Sequence, residues 1–143
     1  MTPTVENTIR QLGYGGLIPF VGLTFLMWVV DIELVEFLAH ALAAYAAVIV
    51  SFLGGIHWGA GFTRSDGTTR LQFLWGVTPS VLGWLALLMP PYAGLPLLGL
   101  IVLACYAVDR KTYPAAGLVR WLPMRQRLTL IATLSCMLGA AAV

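Results

Sequence analysis

Few side chains in this sequence can exchange protons, hold a metal or attack a substrate from within an apolar run. Glu33, Glu36 and His40 fall at i, i+3 and i+7, so on a helix they share one face. A carboxylate beside an imidazole can pass protons or bind a divalent cation. All three sit at the start of the longest apolar stretch, however, and a water-exposed helix end is the plainer account. His57, followed by Trp58, lies toward the other end of the same stretch. An imidazole there loses hydration unless a neighbour takes its N–H. It is therefore expected to be neutral, hydrogen-bonded and structural more often than catalytic. His40 and His57 are separated by roughly 25 Å at 1.5 Å per residue, too far to clasp one haem iron. Cys105 and Cys136 lack CxxC spacing and are expected to be small packing residues. No nucleophile with a matching base, no Walker loop and no dinucleotide fingerprint is present in the sequence. The expectation is a protein with no catalytic, metal or cofactor-binding residues.

The elements that must position these groups are set by composition. Of 143 residues 59% are apolar and 10% charged, with a mean hydropathy of +0.88. A soluble domain is nearer a quarter charged, so the chain belongs to the membrane class, and nucleic-acid binding is excluded as a role. A spanning helix needs about 20 mostly apolar residues. Five segments approach that length, at 12–30, 34–62, 71–89, 92–108 and 125–143, and they predict one all-α domain, a polytopic bundle over residues 1–143. The last segment is short unless Arg125 and Arg127 snorkel from an added first turn. Between Pro114 and Pro123, Leu118, Trp121 and Leu122 predict a short interfacial turn, with Trp121 at headgroup level and Arg120 among lipid phosphates.

Orientation follows from charge position. Arg10, Arg64, Arg70, Arg110, Lys111, Arg120, Arg125 and Arg127 all fall on one side of a five-span bundle, and the opposite segments hold no Lys or Arg. The positive-inside rule then predicts a cytoplasmic N-terminus and a periplasmic C-terminus. The first apolar run exceeds a signal h-region and no small-x-small site precedes Asp31, so it is expected to be a retained span in a bacterial inner membrane.

The strongest packing pattern is a ridge at steps of four, Ala39, Ala43, Ala47, Ser51, Gly55 and Gly59, which predicts close helix approach along the second span. His57 then lies on roughly the opposite side from Gly55. Pro79, mid-span between Thr78 and Ser80, predicts a packing kink.

The runs Leu12-Gly-Tyr-Gly-Gly-Leu-Ile-Pro-Phe20, Tyr45-Ala-Ala-Val-Ile-Val-Ser-Phe-Leu-Gly-Gly-Ile-His-Trp-Gly59 and Arg125-Gln-Arg-Leu-Thr129 resemble the domain of unknown function 3429 (transmembrane protein 69-like) family. The resemblance covers nearly the whole chain. It implies a small five-helix inner-membrane protein of mitochondrial and proteobacterial distribution, and it brings no activity. The expected role is a non-enzymatic accessory or assembly subunit of an energy-transducing membrane complex. Its expected partners are membrane lipids and other subunits or further copies of the chain. The alternative is a small carrier or channel using Glu36, His40 or His57.

Overall fold

The computed structural model describes residues 1–64 and 69–143, and among them all regular structure is helical. The N-terminal apolar stretch is two helices, α1 (Pro3–Gly15) and α2 (Leu17–Val29). The Thr2 hydroxyl caps α1 by accepting the Val5 N–H, so this end begins nine residues before the expected Leu12. The break at Gly16 follows from Pro19, whose ring would clash with the Gly15 carbonyl. The Tyr45 hydroxyl donates to the Gly16 carbonyl at 2.7 Å and pins the junction to the next helix.

That helix, α3 (Ile32–Thr63), has 32 residues and touches α2, α4 (Arg70–Leu87), α5 (Pro91–Ala116) and α6 (Leu122–Ala142). The small-residue ridge runs along it only in part. Ala39, Ala43 and Ala47 are buried, Ser51 is half-buried, and Gly55 and Gly59 are exposed with open space where a Cβ would stand. A step of four advances about 400° on a 3.6-residue helix, so the row drifts by about 40° per step and leaves the core. The buried seam mixes steps of three and four, through Val35, Ala39, Leu42, Ala46, Val50, Leu53, His57 and Gly61. Close approach to α4 is made instead by Gly54 and Gly76, where a Cβ on Gly54 would strike the Gly76 carbonyl oxygen. Pro79 is buried inside α4, near that crossing.

α5 continues two turns beyond Val108, to Ala116, and ends on Gly117 in the left-handed region at φ 75°. A single 3-10 turn, Val119–Trp121, leads into α6. The interfacial turn is thus present, but its charges have protein partners. Arg120 pairs with Glu6 of α1, and both Arg10 and Arg120 stack over the Trp121 ring. Arg127 donates to the Tyr14 hydroxyl at 3.2 Å.

The core lies among α2, α3, α5 and α6 and is built from Phe20, Met27, Leu42, Val50, Leu95, Leu98, Val102 and Cys136. Large apolar side chains such as Ile18, Phe25, Phe37, Phe52, Leu71 and Trp84 point outward. In water such a surface would drive aggregation; in lipid it costs nothing. Three helical stretches, Pro3–Val29, Ile32–Thr63 and Pro91–Ala116, are long and apolar enough to cross a membrane.

Candidate functional site

The one densely polar cluster in the described interior forms where α3, α5 and α6 meet. Asp109 is fully buried, His57 is 5% exposed and Arg125 6%. His57 Nε2 lies 2.8 Å from Asp109 Oδ1, while Arg125 donates to Asp109 Oδ2 through Nε at 3.1 Å and Nη2 at 2.7 Å. Arg125 Nη1 also donates to the Thr129 hydroxyl at 3.2 Å. Each carboxylate oxygen therefore serves a different helix. A carboxylate only accepts, so His57 Nε2 must carry the proton, and this fixes the ring's tautomer when it is neutral. The backbone carbonyl of His57 accepts from Gln72 Nε2 at 2.9 Å, tying α4 to the same point. Tyr113, one turn beyond Asp109, is buried and interacts with both Asp109 and Arg125.

Local sequence explains the placement. Val102, Cys105, Asp109 and Tyr113 follow steps of three and four on α5, so the carboxylate lies on the same inward stripe as the apolar core. Arg125 and Thr129 are i, i+4 on α6. A buried Arg needs its countercharge within hydrogen-bonding reach, because its desolvation cost is otherwise several kcal/mol; here it makes two charge-assisted bonds.

Arg125 is accordingly not a snorkelling lipid contact. It points inward because Asp109 offers a partner there, whereas Arg120 and Arg127 stay on the surface. His57 is hydrogen-bonded inside the bundle, and Gly55, expected to pack as part of the ridge, faces out on the opposite side. Glu36 and His40 approach to 3.5 Å at the far end of α3, both well exposed, and Glu33 is exposed beside them. They do not join the His57 cluster. Cys105 and Cys136 are buried free thiols. Among the described residues no three His, Cys, Asp or Glu side chains converge as a metal site.

Asp109, Tyr113 and Thr129 were not singled out by sequence reasoning. The signal for Asp109 was its register with Val102 and Cys105, which an early end to the fourth apolar segment concealed.

Two cavities flank the cluster. One, about 340 Å³, is lined by His57, Gln72, Trp75, Lys111, Thr112 and Tyr113 among others, and the buried Trp75 Nε1 beside it has no hydrogen-bond partner. The other, about 680 Å³, has a largely apolar wall and includes Tyr113, Arg125 and Thr129.

An all-helical bundle with an apolar outer surface and an internal ion pair defines a helical membrane protein. Within that class the chain belongs to the family described as Protein of unknown function (DUF3429), whose model matches residues 5–141. It is similar to Transmembrane protein 69 of Xenopus tropicalis, 40% identical over 79 residues, which cover 54% of this chain and 31% of the relative. The chain thus matches about a third of the length of that curated relative. No solved structure matches.

Proposed function

We propose that this protein is a non-enzymatic accessory or assembly subunit, acting in an inner membrane by packing against a helix of another chain. The observation that carries this is the outer face of α3. Gly55 and Gly59 lie at i, i+4 between exposed Phe52 and Phe62, and nothing stands within 4 Å of where their Cβ atoms would be. In lipid, helices associate through van der Waals contact at small residues, and a glycine notch walled by two aromatic rings accepts a partner's backbone closely. The membrane in view is an energy-transducing one, in keeping with the bacterial and mitochondrial spread that the sequence resemblance implies. A five-span topology with the N-terminus cytoplasmic fits the bias of Lys and Arg to one side, which persists without Arg125, because that charge is compensated internally by Asp109.

The His57 cluster fits a structural clamp. Its groups bond to one another across α3, α5 and α6. A carrier reading draws no support from the middle of the bundle, where the polar Thr24 is bound to the Ser135 carbonyl at 2.9 Å amid apolar core.

The test is affinity capture of tagged protein in mild detergent, followed by mass spectrometry and native mass measurement. Co-purification of a defined membrane complex, lost in Gly55→Leu with Gly59→Leu while thermal stability is retained, is the expected result. A monomer alone from several detergents would overturn it.

A further inference from the structure

The smaller cavity, about 340 Å³, lies at the basic end of the bundle, walled by His57 from α3, Gln72 and Trp75 from α4, and Lys111 and Thr112 from α5. That volume falls in the range of small-molecule sites. Several of its polar groups have no protein partner. Trp75 Nε1 is buried and bonds to nothing, and a buried N–H without an acceptor is costly, so the cavity that the indole lines is where an acceptor belongs. Lys111 is exposed at the mouth and makes no ion pair with a described residue. Arg64 lines the same mouth, and none of the described lining residues is acidic. α4 starts at this wall, capped by Thr69, and the positive end of its dipole adds to the field. An indole N–H, an ammonium and a positive field together select an anion.

The remaining groups select which anion. His57 Nε2 is committed to Asp109, which leaves Nδ1 of the neutral ring as a lone pair with no partner. Gln72 Nε2 is committed to the His57 carbonyl, which leaves Oε1 as a second acceptor. A carboxylate, or a sulfate at neutral pH, has no proton to give them. A hydrogen phosphate carries both charged oxygens for the donors and an O–H for an acceptor. We infer that the smaller cavity binds a hydrogen phosphate group, its charged oxygens toward Trp75 Nε1 and Lys111 and its O–H toward His57 Nδ1. Ile56, Leu71 and Leu118 supply apolar wall beside these groups, so inorganic phosphate and the phosphate of a soluble or lipid monoester share the required chemistry. This goes beyond an accessory role and does not depend on it, since none of these groups belongs to the glycine notch on the outer face of α3.

The test is equilibrium dialysis of radiolabelled inorganic phosphate against the full chain in an uncharged detergent near neutral pH, with unlabelled competitors. Phosphate should bind saturably. Sulfate, of the same shape but without the proton, should compete about tenfold less well or worse, because it leaves the acceptors unpaired. Trp75→Phe and Lys111→Gln should each weaken phosphate binding about tenfold, the scale of one hydrogen bond. Lys111 is exposed, so Lys111→Gln keeps the test decisive should Trp75→Phe fail to fold. Competition by dioctanoylphosphatidic acid far below the concentration needed for glycerol 3-phosphate would place the phosphate on a lipid, equal competition by the two would place it on a soluble monoester, and failure of both would confine the site to inorganic phosphate. Sulfate competing as well as phosphate would overturn the inference. So would wild-type affinity in the folded variants, or the absence of saturable phosphate binding by folded wild-type protein.

Discussion

Asp109 is the residue on which three helices depend, because its two oxygens take His57 from α3 and Arg125 from α6 while its own backbone belongs to α5. Removing one member of a buried pair leaves the other charge without compensation, whereas removing both exchanges the pair for apolar packing. Asp109→Leu or Arg125→Met alone should therefore destabilise the fold by about 3 kcal/mol, and Asp109→Leu combined with Arg125→Met should recover most of that loss. Thermal unfolding of the four proteins in one detergent checks this as a double-mutant cycle, and strictly additive losses would contradict the pairing. At His57 the expected order is different. Gln retains a donor for Asp109 and Leu does not, so His57→Gln should be the milder change, by about 1 kcal/mol or more. If both substitutions preserved folding yet abolished a proton flux, a carrier role would replace the structural one.

Among the elements, α3 decides most of the architecture, since it touches α2, α4, α5 and α6. Its two faces respond to substitution in opposite ways. At Gly54 a side chain meets the backbone carbonyl of Gly76, which cannot move aside as a flexible side chain can. Gly54→Leu should therefore separate α3 from α4 and lower the unfolding temperature sharply, while Gly55→Leu, one residue on, should leave the isolated fold unchanged. Circular dichroism melts of the two variants distinguish them, and equal tolerance would mean that α3 and α4 do not approach at Gly54. The sequence showed that α3 was rich in small residues and central to packing. It did not show which of them were used, because a regular four-residue spacing catches the eye while the helix itself turns through 3.6 residues.

At the scale of the whole molecule, the basic end holds the α1 to α6 contacts, the Trp121 stack and the mouth lined by Lys111, and the opposite end holds the exposed Glu36 and His40 pair. In a background lacking both native cysteines, Lys111→Cys should react with a membrane-impermeant maleimide from the cytoplasmic side only, and Ile32→Cys and Val143→Cys from the other side only. Labelling of Lys111→Cys and Ile32→Cys from the same side would overturn the proposed topology. The membrane class, the helical bundle, the family and the asymmetry of charge were all determined by the sequence, since each depends on sums over many residues that no single contact can reverse. The helix break at Gly16 was partly legible in the Gly-Gly and Pro19 chemistry, although the helix before it was not anticipated. The pairing within the cluster was decided by tertiary structure, although the register of Asp109 with Val102 and Cys105 was legible. Asp109 and Arg125 each stand in a stretch rich in basic residues, where a local reading assigns both to the membrane surface. Only the packing of α5 against α6 brings them within 2.7 Å, and that proximity is what turns Arg125 from the lipid to the interior.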